Sequence, residues 1–429
     1  MNKINTILER RNNLLGNNLP TFYENPIHLV KGKGVWVWDN DGKKYLDCYN
    51  NVPHVGHCHP EVVKAITDQA SLLNTHTRYL HEGILDYVEK LTSTLEKNLN
   101  TAVMTCTGSE SNDIAIRMAE AVTGSKGIIS TDHTYHGNTA LVSQLSRTNP
   151  PGEGYMNNIK HIPAPDSYRP LGGVAGVPHS EKFANELEKA IIDLQKKNIG
   201  FSCLIICPFF ANEGFPQLSN DWLSPTQRMV KKYNGIIIAD EVQPGFGRMG
   251  SHMWAHQMMG INPDIVTVGK PMANGHPVGA VITSTDIMNS FRNSFKYFNT
   301  FGGNPVSCAA SMEVLKIIER EGLMVNALEV GKYAVNELKK LSLKHEIIGD
   351  VRGKGLFFGA EMVLDKKTKE PAKEITNEIV NKMRENGVLL SSSGIHDNTL
   401  KIRPSMQFSK KNTDLLISTL DNVLKKINI

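Results

Sequence analysis

Two residues of this chain stand where chemistry is done in an α/β sheet, each at the C-terminal end of a short β-branched run. Asp264-Ile265-Val266-Thr267-Val268-Gly269-Lys270-Pro271 has the length and composition of an interior parallel strand; Gly269 permits a close turn, and Pro271 ends the run. Gly235-Ile236-Ile237-Ile238-Ala239-Asp240 is a second such run. Ligands of open α/β sheets bind in the crevice outside the carboxyl ends of the strands, so Lys270 and Asp240 can converge on one small molecule. An amine that forms a Schiff base and a carboxylate that keeps a pyridine nitrogen protonated are what pyridoxal phosphate requires, because the protonated ring draws off the electrons of a carbanion. Taken singly, Lys270 reads as a surface lysine and Asp240 as a strand-end cap. Together they point to the cofactor.

Other stretches add candidates. Thr105-Cys106-Thr107-Gly108-Ser109-Glu110-Ser111-Asn112 follows a strand and opens a helix, so its free N–H groups make an anion site suited to a cofactor phosphate, although Ser109 is also an ordinary helix cap. Thr131-Asp132-His133-Thr134-Tyr135-His136-Gly137 ends another strand and brings Tyr135 to the cleft, to stack on a flat ring or simply to pack in a loop. Gly245-Phe246-Gly247-Arg248-Met249-Gly250 satisfies GxGxxG, but it comes late in the chain and after Asp240, where a dinucleotide fingerprint would open the first βα turn; a dehydrogenase is a minor alternative. His54, His57 and His59 lie within six positions without a second ligand cluster, so a polar loop is expected there and no metal.

The elements that must position these residues follow from periodicity. Val35 to Asp47 reads as a hairpin around an Asp-Gly turn, after an arm that is irregular or helical. From Glu61 a helix of about 15 residues is expected. Between about 102 and 300, strands at Ala102 to Cys106, Gly127 to Thr131, Cys203 to Cys207, Gly235 to Ala239, Ile265 to Val268 and Val278 to Thr283 alternate with helices near 109–123, 180–197 and 222–233, the mark of a mainly parallel sheet. After about 305 an α+β grouping begins, with helices near 306–320, 323–341 and 373–386 and a last one from Asn412. The expected division is 1–55 (arm and hairpin, part of a small domain), 56–304 (large cofactor-binding domain) and 305–429 (C-terminal small domain).

Composition bounds the function. A chain of 429 residues, 40% hydrophobic and 21% charged with a net charge of +4, is a soluble globular protein without a basic block for nucleic acid or an apolar run of membrane length. The N-terminus lacks a secretory signal, and six scattered cysteines argue for reduced thiols, so a cytoplasmic location is expected.

In their order and spacing, Asp240-Glu241-Val242-Gln243, Gly245-Phe246-Gly247-Arg248, Pro263-Asp264-Ile265-Val266 and Gly269-Lys270 resemble the class III pyridoxal-phosphate aminotransferases of fold type I, and the likeness runs from Gly34 to the C-terminus. It implies a seven-stranded-type, mainly parallel large domain with a smaller α+β domain. It also implies that Lys270 forms the Schiff base and shuttles the proton, Asp240 pairs the ring nitrogen, Gln243 contacts the ring hydroxyl, Tyr135 stacks on the ring, and Gly108 and Ser109 bind the phosphate. Thr300, in Phe298-Asn299-Thr300-Phe301-Gly302-Gly303, matches a threonine that reaches the neighbouring subunit's phosphate, which implies a homodimer with shared active sites.

The segments Asn50 to Pro60, Asn74 to His81 and Gly269 to Pro277 are similar to the ethanolamine-phosphate phospho-lyase branch, and they make Asn51 and Tyr79 substrate-binding candidates. Many class III members clamp a substrate carboxylate with an arginine near the C-terminal strand; here Lys401 takes that position, with Arg403 two residues on, and both are candidates for binding substrate. Cys207 and Asn212 stand where the family usually has glutamates, leaving Glu213 as a possible counter-ion. The family implies an aminotransferase moving an amino group from an amino acid or ω-amine to a keto acid such as pyruvate. The alternative is a phospho-lyase acting on O-phosphoethanolamine or a similar phosphorylated amino alcohol. A non-enzymatic binding role is disfavoured by intact Lys270 and Asp240.

Overall fold

The structure, a computed structural model, describes residues 3–17, 19–148, 150–171, 173 and 178–427. Its centre is a seven-stranded sheet in the order Thr101–Thr105, Gly279–Thr283, Ile265–Val268, Ile236–Asp240, Phe201–Ile206, Gly127–Thr131, Ile159–Ile162. The five strands from Ile265–Val268 to Ile159–Ile162 run parallel. Gly279–Thr283 is antiparallel to both its neighbours. Two boundaries, Gly127–Thr131 and Ile265–Val268, agree with the sequence expectation, and the other four expected strands shift by one or two residues. Ile159–Ile162 was not expected: its Ile-Lys-His-Ile pattern shows only two buried side chains, too few to mark a strand.

Side chains alternate across this sheet because successive Cβ atoms point to opposite faces. Val103, Ile128, Cys203, Ile205, Ile236, Ile238, Ile265 and Val281 join one core with Ile114, Ala115 and Met118 of the helix Gly108–Thr123. On the opposite face, Val266, Val268, Ala280 and Ile282 pack with the helix Pro305–Arg320, and Ile129, Leu204, Ile206 and Ile237 pack with Phe183, Leu187 and Ile191 of the helix His179–Lys196. Both faces are covered, which is why the strands read as continuous apolar runs.

Two smaller sheets flank it. Ile348–Lys354, Phe357–Asp365, Thr399–Ile402 and Ser391–Ser393 form an antiparallel sheet, with Glu370–Pro371 added to Phe357–Asp365. Leu29–Lys33, Trp36–Asp39 and Lys44–Asp47 form the other, one strand more than the expected hairpin, and Val388–Leu389 completes it in parallel with Lys44–Asp47. The arm carries a helix at Lys3–Leu15. Among the described residues, no helix is long and apolar enough to cross a membrane.

Candidate active site

The carboxyl ends of Ile236–Asp240 and Ile265–Val268 open into a cleft of about 320 Å³ lined by Thr107, Gly108, Ser109, Tyr135, His136, Cys207, Asp240, Gln243, Lys270 and His276, among others. Strand neighbours place Asp240 opposite Thr267. Lys270 begins a short 3₁₀ turn, with a φ of 22° that a side-chain-bearing residue seldom adopts. Its side chain is exposed to the cleft, and Nζ stands 5.8 Å from the centroid of the Tyr135 ring. The enclosing cleft walls and, less strongly, Arg403 hold the amine below its ordinary pKa, while Asp240 opposes them.

Asp240 is buried and fixed from three sides. Oδ2 accepts from His136 Nδ1 at 2.6 Å and from Asn112 Nδ2 at 3.0 Å, and Oδ1 accepts from the Val242 N–H at 3.0 Å. Asn112 is oriented in turn by Thr267, whose hydroxyl donates to its Oδ1 at 2.6 Å, while its Nδ2 also reaches the His136 carbonyl. His136 Nε2 meets Thr134 Oγ1 at 3.0 Å. Neither His136 nor Asn112 was singled out from the sequence, although both lie in segments that were. A buried amide on the inner face of the helix Gly108–Thr123, beside Ile114 and Ala115, was the available signal.

The anion turn is built around Thr107. Its hydroxyl accepts from the Glu110 N–H, and Glu110 accepts from the Cys106 and Thr107 N–H groups, completing a capping box. The Gly108 and Ser109 N–H groups are left without an acceptor and lie at the start of a 16-residue helix, where a phosphate is favoured. Gly269 lets the lysine strand pass close: a Cβ there would lie 3.2 Å from the Gly108 nitrogen. Two free N–H groups, a carboxylate, an unpaired amine and an aromatic face around one cleft fit pyridoxal phosphate.

Gln243, Lys401 and Arg403 adjoin the cleft as one network. Lys401 Nζ donates to Asn212 Oδ1 at 2.9 Å, Gln243 Nε2 approaches the same oxygen at 3.3 Å, and Arg403 donates to Gln243 Oε1. Both cations are buried and lie 5.5 Å from the centroid of the Phe357 ring. Burial, reinforced by Arg403, pushes the Lys401 amine well below its usual range. Glu213 does not become their counter-ion: it accepts from Thr131 Oγ1 at 2.6 Å and from the Asn212 N–H at 3.1 Å. Asn51 is buried beside the cleft-lining Val52, and its Nδ2 has no partner.

Two expected residues do not join their own chain's cleft. Tyr79 is 66% exposed and stacks on His76 in a separate surface groove with Phe298, Asn299 and Gly302. Thr300 is exposed in the same neighbourhood, on a loop docked to the anion turn by Asn299, whose amide reaches Glu110 Oε1 at 3.4 Å. The three clustered histidines serve separate partners: His54 the Phe246 carbonyl, His57 Asp47, and His59 Glu321. Arg248, of the glycine-rich turn, is fully buried and holds the chain beside Arg403, donating to the Pro404 carbonyl at 2.6 Å, the Leu356 carbonyl at 3.0 Å and His54 Nδ1 at 3.1 Å.

A doubly covered sheet of this order, with a lysine amine, a carboxylate and a helix N-terminus around one cleft, defines a fold type I enzyme that uses pyridoxal phosphate. The chain belongs to the class III aminotransferases: the family's sequence model, Aminotransferase class-III, matches residues 21–424. It is 39% identical to "Alanine--glyoxylate aminotransferase 2-like" of Drosophila melanogaster, over 96% of this chain and 85% of that protein. It is 34% identical to "Ethanolamine-phosphate phospho-lyase homolog 1" of Caenorhabditis elegans, over 98% and 94%. Among solved structures, a phospholyase from Arthrobacter in complex with phosphoethanolamine superposes with a TM-score of 0.94 at 39% identity, covering 98% of this chain and all of that one.

Proposed function

We propose that this enzyme is a phospho-lyase acting on a phosphorylated amino alcohol of the O-phosphoethanolamine type. The observation that carries this reading is the pair of buried basic side chains, Lys401 and Arg403, held by neutral amides beside the lysine amine, with no carboxylate paired to them among the described residues. Two such charges suit a doubly charged phosphate better than a singly charged carboxylate. The likeness to the Arthrobacter phospholyase supports it.

In this proposal the Gly108 and Ser109 N–H groups would hold the cofactor phosphate, Asp240 would pair the pyridine nitrogen, Tyr135 would stack on the ring and Gln243 would contact the ring hydroxyl. Bound there, pyridoxal phosphate supplies the sink for the electron pair left on the amine-bearing carbon. Lys270, whose amine would hold the cofactor before substrate arrives, would remove the proton from that carbon. The bond between the neighbouring carbon and the phosphate oxygen breaks, and its electron pair departs with phosphate, whose charge Lys401 and Arg403 meet. The organic fragment leaves as an unsaturated amine, which water converts to an aldehyde and ammonia. Asn51 is assigned to the substrate through its unpaired Nδ2.

A homodimer belongs to the same proposal. Thr300 and Tyr79 are assigned to the partner's site because both lie on an exposed surface that also carries Leu80, Phe298 and Phe301. Purified holoenzyme given O-phosphoethanolamine should release inorganic phosphate while the cofactor's absorption returns to its starting band. A lasting bleach without phosphate, reversed by pyruvate, would instead establish the aminotransferase reading that the Drosophila relative's name favours.

A further inference from the structure

Asn212 sits at the junction between the cleft and its two buried cations. Its side-chain oxygen is shared by Lys401 Nζ at 2.9 Å and Gln243 Nε2 at 3.3 Å, and Gln243 passes the contact on to Arg403 through its own oxygen. The main chain fixes Asn212 firmly: its N–H donates to Glu213 Oε2 at 3.1 Å, and its carbonyl accepts from the Gly394 N–H at 3.0 Å and from Ser393 Oγ at 3.1 Å. The neighbouring carboxylate, Glu213, is engaged by Thr131 and by that same N–H.

Burial and the neighbouring Arg403 hold the Lys401 amine well below its usual range, so charge on this amine beside the buried guanidinium is costly until an anion meets the pair. An amide oxygen orients Lys401 yet carries no net charge, so it positions the cation without neutralising it. We infer that Asn212 is a specificity-determining residue, whose neutral acceptor leaves the Lys401–Arg403 pair to be compensated by a dianionic phosphate monoester. A carboxylate at this position would satisfy Lys401 from within the protein, and the site would then favour amines with a singly charged or neutral tail. The inference rests on the phospho-lyase reading for the identity of the ligand, but the charge argument concerns binding and does not require elimination to occur.

The test uses holoenzyme and inorganic phosphate as the probe, with acetate as the singly charged control, by isothermal titration calorimetry. Wild type should bind phosphate, and Asn212→Asp should weaken it about tenfold or more, while acetate changes less and the cofactor spectrum is retained. Equal phosphate affinity in wild type and Asn212→Asp, or no phosphate binding by wild type, overturns the inference. If Asn212→Asp does not fold, Asn212→Ser and Lys401→Met decide: the serine variant should keep phosphate affinity within about threefold and the methionine variant lose about tenfold. The reverse order overturns it. A phosphate-release assay with O-phosphoethanolamine runs in parallel. Absence of release with this binding pattern intact removes the phospho-lyase reading and leaves the role of Asn212 standing.

Discussion

His136 Nδ1 lies 2.6 Å from Asp240 Oδ2, with both side chains buried, so the imidazole aims the carboxylate at the cleft. The Thr134 hydroxyl on Nε2 leaves Nδ1–H to donate to Asp240. His136→Phe should therefore lower kcat about tenfold with little change in KM and shift the bound cofactor's absorption, whereas His136→Asn should recover part of both. A fall in thermal stability alone, with the spectrum and kcat unchanged, would reduce His136 to a packing role.

Arg403 donates to Gln243 Oε1 while lying over Tyr49, whose ring centroid is 5.2 Å from its guanidinium carbon. A point charge reproduces neither the planar fork nor the stacking. Arg403→Lys should raise KM for a phosphorylated amine about tenfold or more and leave cofactor affinity intact. Steady-state kinetics with O-phosphoethanolamine, read beside a cofactor titration, separates the two effects.

Two buried histidines give stability opposite dependences on pH. For His256, burial alone would lower the pKa, but Glu241 and Glu96 overcome it and hold the group up at about 9, from an ordinary 6.5. Its contribution, on the order of 3 kcal/mol, is complete below about pH 6.5 and is lost as the pH rises through about 9. His54 is pushed down to about 3 by burial and by Arg248. Its neutral form serves the fold, so its contribution is complete above about pH 6.5 and drains away as the pH falls toward about 3. Melting temperatures across pH 4 to 10 (about six units) should show the alkaline limb flattened in His256→Gln and the acid limb flattened in His54→Gln.

Gly137 adopts a φ of 139°, and a Cβ there would lie 2.3 Å from Ser109 Oγ. Gly137→Ala must displace the start of the helix whose free N–H groups are proposed to hold the cofactor phosphate. The variant should lose cofactor on dialysis several times faster than wild type. Retention equal to wild type would show that the anion turn tolerates the shift.

What could be read from the sequence was what lies within one local run. Lys270 and Asp240 each end an apolar stretch, and the GxGxxG segment was set aside because of its place in the chain; the structure gives Arg248 of that segment a fully buried place among carbonyls. His136 and Asn112 were missed because their common partner, Asp240, lies 104 and 128 residues away, a distance no periodicity records. The direction of Gly279–Thr283 was equally hidden, since a buried β-branched run has the same composition either way along the sheet. For Tyr79, similarity of the surrounding segment supplied a residue type without saying which cleft it serves.

The strand Lys44–Asp47 finds its parallel neighbour, Val388–Leu389, some 342 positions later in the chain. During synthesis the N-terminal strands emerge long before that neighbour exists, and must wait with an unpaired edge until most of the protein has left the ribosome. The backbone link from the Arg403 N–H to the Cys48 carbonyl, at 2.6 Å, follows the same schedule. Arg403 is thus anchored by the closure of one of the chain's longest loops, and its corner of the cleft is among the last parts of the molecule to be assembled.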